Sequence, residues 1–265
     1  TGMNEFDRTL IGTALHHSAA LNTWLLPSLY LGGTAVVLPE FTPGDWIATM
    51  AREGVTNGFA PPTMIRQILR HPMARQADWS SFRRWYSGAG ILPDHERAEM
   101  MDLVPGLEIY YEYGLTEAGP IVTVLKPQDA ARAPGSIGRV VRNCEIRILR
   151  EDRSVAAPGE VGELAVRGPA VMRGYFNRPE ETARVFLDGW LLTGDLASVD
   201  ADGFVFFHDR SKDMIKTGGL NVYSQEVEQV VAAHPAVREV AVIGLPDETW
   251  GEAVSAVVTL HDGAA

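Results

Sequence analysis

An α/β fold is predicted by this sequence: a parallel-sheet α/β subdomain, then a β-rich, barrel-like subdomain, then the start of a small α+β domain. Three observations carry the prediction. Apolar, strand-like runs alternate with helix-like runs as far as Tyr111, the pattern of a mostly parallel sheet. From about Lys126 the runs become short and β-like, with Pro and Gly between them. From Ser211 one helical stretch precedes two strands. The expected boundaries are 1–125, 126–210 and 211–265.

The elements follow in order. Residues 21–31 read as a buried helix stopped by Gly32-Gly33, and 34–38 as a short apolar strand. Residues 45–53 have helical spacing, closed by Gly54; the strand 57–60 ends at Pro61-Pro62. Residues 63–70 are helical with Thr63 as N-cap, and 82–86 form a strand leading into a Gly88-Ala89-Gly90 loop. An amphipathic helix over 94–103 precedes a strand over 108–111. Residues 133–149, 162–167 and 203–207 are the β-like runs of the middle region. A helix over 225–233 and strands over 239–243 and 254–260 complete the chain, which has no internal repeat.

Composition narrows the function. The 265 residues are 46% hydrophobic, enough for a sizeable core in one large or two smaller domains. A net charge of −11, with dispersed basic residues, excludes nucleic acid as a partner. Any phosphate must be held by local cations and backbone N–H groups. The single cysteine, Cys144, excludes an intramolecular disulfide and suits a reducing, cytoplasmic setting. No secretory signal is expected, and the longest apolar stretch, 24–38, is broken by Pro27 and Gly32-Gly33, so no transmembrane segment is expected either. The oligomeric state stays open.

Three polar segments stand out. Residues 210–219, Arg-Ser-Lys-Asp-Met-Ile-Lys-Thr-Gly-Gly, hold cations, an acid and a glycine pair between a strand and a helix. That suits a movable joint, with Gly218 and Gly219 allowing close approach; an ordinary solvated loop is the alternative. Tyr113-Gly-Leu-Thr-Glu117 follows a strand end, where ligands of open α/β sheets bind. Its tyrosine offers a flat face for a purine, Thr116 a hydroxyl for a phosphate, and Glu117 an oxygen for Mg²⁺. The same five residues read equally as a turn and helix start, with Thr116 capping. Asp195, after a glycine at a strand end, can accept both hydroxyls of a ribose or close an Asx-turn. Arg210 can reach that ribose or pair with Asp209 or Asp213. His16, His17 and His208 carry no metal-ligand spacing and read as structural by default.

Taken together, the collinear segments 87–93, 113–117, 135–139, 162–167, 189–195 and 209–222 resemble the adenylate-forming, AMP-binding enzymes, and within them the fatty-acyl-CoA synthetases. The joint Asp209-Arg-Ser-Lys-Asp-Met-Ile-Lys-Thr-Gly-Gly-Leu-Asn-Val222 is similar to that of acid–CoA ligases rather than to the Gln-Val-Lys-Ile-Arg-Gly type of peptide synthetases. The resemblance implies a large N-terminal domain, of which this chain is the second half, followed by the start of a mobile C-terminal domain. It implies ATP, Mg²⁺ and coenzyme A as cofactors and co-substrates, and a carboxylic acid as substrate. Tyr113 would stack near adenine, Thr116 would contact the AMP phosphate, and Glu117 would bind Mg²⁺. Asp195 and Arg210 would hold the ribose, and Lys212 would be the hinge. Gly218 and Gly219 would line the pantetheine path. Gly88, Ala89 and Gly90 would wall the acyl pocket and touch adenine, with Gly114 and His17 at the same pocket. The implied reaction joins a fatty acid or related carboxylate to CoA through an acyl-adenylate. An aryl acid, loading of a carrier protein, and a non-catalytic nucleotide-binding module are the alternatives.

The sequence departs from the family in two local places, Gly88-Ala-Gly-Ile91 for Gly-Gly-Ala-Pro and Gln225 for proline. It also contains neither the Ser/Thr/Gly-rich loop ending in Pro-Lys-Gly nor the family's C-terminal lysine. A piece of a longer enzyme is therefore expected, one that adenylates poorly or not at all on its own, because both missing parts stabilise the transferring phosphoryl group.

Overall fold

The computed structural model of the chain describes residues 2–90 and 92–261. Ile91 of the 87–93 motif and the last four residues of the expected 211–265 domain lie outside them. The chain divides into two compact units, Thr1–Glu145 with Arg167–Arg184, and Ile146–Val166 with Val185–Ala265.

The first unit is built on one sheet. Strands β1 (Arg8–Ile11), β2 (Thr34–Val37), β3 (Asn57–Phe59), β4 (Arg84–Gly88) and β5 (Glu108–Gly114) run parallel in the order β2-β1-β3-β4-β5. Strands β6 (Ile121–Leu125) and β7 (Arg139–Val140) extend it antiparallel. The crossovers are α1 (Leu26–Tyr30), α2 (Pro43–Arg52), α3 (Pro62–Arg70) and α4 (Asp94–Leu103). Alternation along the parallel strands loads both faces. Leu10 and Trp85 pack with Trp46, Ile47 and Ile65, which α2 and α3 bring over the sheet. Their strand neighbours Ile11 and Tyr86 point the other way and pack with Trp24 and Phe59. Trp46 stacks on Trp85 with ring centroids 5.3 Å apart, and both are fully buried. Each such ring buries roughly 150–250 Å², worth on the order of 4–6 kcal/mol in transfer free energy.

Local chemistry sets the helix starts, not always as expected. The Thr42 hydroxyl accepts the Asp45 N–H at 3.0 Å and caps α2. Thr63 caps nothing: α3 begins a residue earlier, at Pro62, because the fixed φ of proline suits the first helical turn. The expected helix over 21–31 is a π-helical turn, Ala19–Leu25, running into α1. It buries only one face, through Ala20, Trp24 and Ser28, and leaves Leu29 and Tyr30 exposed.

The second unit holds two antiparallel sheets. The first contains β8 (Glu145–Leu149), β9 (Gly162–Arg167), β10 (Phe186–Leu187), β11 (Trp190–Val199) and β12 (Val205–Arg210); α5 (Pro179–Val185), which precedes β10 in the chain, belongs to the first unit as far as Arg184. Strand β11 is long enough to pair with β10 at one end and β12 at the other, while β9 lies along its opposite edge. The other sheet contains β13 (Ile215–Thr217), β14 (Leu220–Val222), β15 (Val237–Asp247) and β16 (Gly251–Leu260) in the order β14-β13-β16-β15, with α6 (Ser224–Ala232) between β14 and β15. The joint read from sequence as a polar loop therefore contains a hairpin. Ile215 is 1% exposed, and its burial anchors β13. Among the described residues no helix is long and apolar enough to cross a membrane.

Candidate functional site

The Gly88-Ala89-Gly90 loop and the Tyr113–Glu117 motif meet at the carboxyl edge of the first sheet, with the His16-His17 pair beside the motif. Gly88 ends β4 and stands in register with Glu112 of β5. Only glycine fits there: a Cβ would lie 2.3 Å from the Glu112 carbonyl oxygen. Ala89 turns the chain with φ of 61°, in the left-handed region that costs an L-residue about 1–2 kcal/mol. The Gly90 carbonyl accepts the Tyr111 hydroxyl at 2.5 Å, which ties this strained loop to the next strand. Burial pushes the Tyr111 phenol up to about 12, so it remains a proton donor at neutral pH.

Tyr113 and Gly114 are strand residues, not the loop expected after Tyr111. Tyr113 pairs with Thr123 of β6, and a bulge follows it. Gly114 passes so close to β6 that a Cβ would sit 1.7 Å from the Pro120 carbonyl oxygen. One 3-10 turn, Thr116–Ala118, comes next. Thr116 is not its N-cap. Its hydroxyl lies 2.8 Å from that of Ser18, which joins the motif to the exposed pair His16 and His17. Those two imidazoles lie 4.4 Å apart. The Glu117 carboxylate accepts the Tyr175 hydroxyl at 2.9 Å through Oε1, and its main-chain carbonyl accepts the Met172 N–H at 2.7 Å. Burial, and then Glu117, hold the Tyr175 phenol above its usual range.

This arrangement fits a Mg²⁺ ion that arrives with a nucleotide. Such an ion takes one or two carboxylates and completes its shell with phosphate oxygens and water. Glu117 could supply one such carboxylate, with the Tyr175 hydroxyl on one of its oxygens. Among the described residues no group of three or more His, Cys, Asp or Glu is placed to hold a metal without such help.

The sequence signal for Tyr175 was only its place in a Gly/Pro-punctuated segment, 58 residues from Glu117. Glu112 was missed altogether. It is buried, its Oε1 has no hydrogen-bond partner, and burial pushes its carboxyl up to about 8.

Asp195 and Arg210 come together in the second unit. Asp195 sits inside β11 rather than at a strand end, in a bulge where Thr193, Gly194 and Asp195 leave the pairing with β9. Gly194 takes φ of +73°. The Thr193 hydroxyl donates to the Leu164 carbonyl at 2.7 Å and accepts the Asp195 N–H at 3.1 Å. Asp195 stands opposite Arg210 in the β11–β12 register, with Oδ1 3.8 Å from Arg210 Nε. The carboxylate is 13% exposed and the guanidinium side chain 60%. Arg210 therefore faces Asp195, not Asp209 or Asp213, across a loose contact of the kind worth at most about 1 kcal/mol.

Lys212 is exposed in a turn whose Asp213 and Met214 N–H groups both donate to the Arg210 carbonyl. Ser211 N–H donates to the Gly194 carbonyl at 2.8 Å, so the turn is tied to the Asp195 bulge. Gly218 and Gly219 form the two-residue turn of the β13–β14 hairpin, with φ of +58° and +81°. Gly218 lies against the Trp250 ring, beside an open groove of about 410 Å³ lined by Thr217, Leu220, Trp250, Ala253 and Val254. His208 Nε2 lies 2.9 Å from the Ser198 hydroxyl, and burial lowers its proton affinity.

The chain belongs to the AMP-binding enzyme family, whose model matches residues 1–176; the model of the AMP-binding enzyme C-terminal domain matches residues 226–265. It is 41% identical over 264 residues to a feruloyl-CoA synthase of an Amycolatopsis species, covering 100% of this chain and 53% of that protein. It is 41% identical over 259 residues to a medium/long-chain-fatty-acid–CoA ligase of Mycobacterium tuberculosis, covering 97% of this chain and 45% of the relative. The solved o-succinylbenzoate CoA synthetase of Bacillus subtilis superposes with a TM-score of 0.88 at 36% identity, over 100% of this chain and 53% of that one. The mixed sheets thus match the fold of adenylate-forming enzymes, as the motifs led us to expect. The chain spans about half the length of the curated relatives it matches.

Proposed function

We propose that the chain is part of an ATP-dependent acid–CoA ligase acting on a fatty acid or related carboxylate. In the first half-reaction a carboxylate oxygen attacks the α-phosphorus of ATP. An acyl–phosphate bond forms, the α–β bridge breaks, and pyrophosphate leaves. In the second, the thiol of CoA attacks the acyl carbonyl, loses its proton, and displaces AMP.

One observation supports this reading above the others: Thr116 and Glu117 are held side by side at the carboxyl edge of the sheet, one against Ser18 and the other against Tyr175. Thr116 would donate to the α-phosphate. Glu117 would hold Mg²⁺, which when bound offsets phosphate charge. Tyr113 would present its ring to adenine, beside Gly88, Ala89 and Gly90, while Gly114 and His17 would border the acyl group. Asp195 would accept the ribose hydroxyls, with Arg210 opposite. The segment after Lys212 would turn between half-reactions and bring Gly218 and Gly219 to pantetheine. The similar Bacillus subtilis enzyme was solved with an acyl-adenylate, and also with ATP and magnesium. A second reading, an aryl acid as substrate, is favoured by the feruloyl-CoA synthase likeness.

The test is ATP–pyrophosphate exchange and CoA-thioester formation by the full-length protein, over a panel of fatty and aromatic acids. Asp195→Ala should weaken ATP binding about tenfold or more, since a hydrogen bond to a charged group contributes roughly 1.5–3 kcal/mol. Absence of exchange with every acid would defeat the proposal.

A further inference from the structure

Asp209 is the last buried residue before the Lys212 turn, 1% exposed at the end of β12. Its Oδ1 accepts the Arg210 N–H at 2.8 Å, a bond within its own strand. Its Oδ2 reaches across the turn and the hairpin. It accepts both the Ser224 N–H at 2.6 Å and the Ser224 hydroxyl at 2.9 Å. Ser224 opens α6 and is itself buried. Tyr223, which flanks the helix, makes no side-chain cap.

A helix start leaves its first N–H groups without partners and carries partial positive charge. Here a strand carboxylate 15 residues upstream supplies both the acceptor and the negative charge. Bonds to an ionised acceptor are short and about twice as strong as neutral ones. A second contact runs parallel, with the His208 and Tyr223 rings 5.5 Å apart. Residues 208 and 209 are thus bound to residues 223 and 224, and everything between them, Lys212 included, is spanned.

We propose that Asp209 and Ser224 form a latch that holds the Lys212 joint in this setting and must open before the segment beyond it can turn. Asp209 is then a positioning residue for the two-step reaction. That role rests on the function proposed above, while the latch itself does not. Opening exchanges two bonds of a buried carboxylate for water, so the latch sets the balance between the two settings of the joint.

Trypsin reads the latch directly, because Arg210, Lys212 and Lys216 all lie inside the spanned segment. In the full-length protein, Asp209→Asn should speed cleavage after Lys212 about tenfold, the loss expected from one or two charge-assisted bonds. Ser224→Ala, which keeps the backbone bond, should speed it about threefold, and Ser224→Thr should restore the original rate. Unchanged cleavage in Asp209→Asn overturns the latch, as does equal acceleration at sites throughout the chain. The positioning role is read from the ratio of thioester formation to pyrophosphate exchange, which Asp209→Asn should shift about fivefold or more while Ser224→Thr leaves it in place. An equal loss in both half-reactions overturns that role. If the unaltered protein shows no exchange, the proposed function fails while the proteolysis result still decides the latch.

Discussion

Glu112 carries a proton-dependent cost that its sequence neighbours conceal. Burial lifts its carboxyl from an ordinary 4.5 to about 8. The folded chain therefore keeps a proton that the unfolded chain releases, and stability falls as pH rises from about 4.5 toward 8. Glu112→Gln should remove that slope. Relative to the native protein it should gain on the order of 2–4 kcal/mol by about pH 9 and little near pH 4.5, read from urea midpoints. Parallel pH profiles for the two proteins would show that the carboxyl is not held neutral. Gly88 is the companion case, where Gly88→Ala should cost about 2–3 kcal/mol or more, because the new Cβ overlaps a backbone carbonyl. Tyr175→Phe removes one hydrogen bond to Glu117, so it should cost about 1 kcal/mol or less in stability yet raise the magnesium requirement of pyrophosphate exchange. An unaltered magnesium dependence would detach Tyr175 from the site. Thr116 and Glu117 were legible because their motif is local. Tyr175 and Glu112 were not, because one is defined by a contact far along the chain and the other by burial.

The alternation of apolar runs located β2 to β5 and the helices between them, whereas β1, a four-residue strand before the first expected helix, was not foreseen. The β13–β14 hairpin escaped because each strand has three residues, too few for a period of two to show, and no proline marks its end as Pro61-Pro62 marks that of the equally short β3. Its glycine pair suits a hinge by allowing positive φ and close approach, and in the structure both glycines take the positive φ that a two-residue hairpin turn demands. Substitution separates the two meanings. Gly219→Ala meets no atom within 4 Å, so its cost, about 1 kcal/mol, is backbone strain alone. Gly218→Ala adds a Cβ 2.8 Å from the Trp250 ring and should cost more. Amide exchange at Thr217 and Leu220, which flank the turn and pair in the hairpin, should rise in the same order. Equal exchange in both variants would mean that the turn conformation is not required.

For the whole molecule, the proposed chemistry needs a joint that pivots at one residue. Lys212 is exposed in a turn, so its side chain adds little to packing and its backbone freedom is what the proposed pivot would use. Lys212→Pro should impair thioester formation at least about tenfold more than pyrophosphate exchange, because fixing φ blocks turning without touching the nucleotide residues. Rate measurements on each half-reaction in the full-length protein check this, and equal losses would remove Lys212 as the pivot. Residue order alone was enough for the family and for the succession of a parallel-sheet α/β part and then a β-rich part, because each is written in neighbouring residues. Only the tertiary structure placed Asp195 in a mid-strand bulge opposite Arg210, set Tyr175 on Glu117, and carried Asp209 to the start of α6. Those are contacts between distant segments, and a hydrogen bond spanning 15 or 58 positions leaves no periodic trace in the chain that makes it.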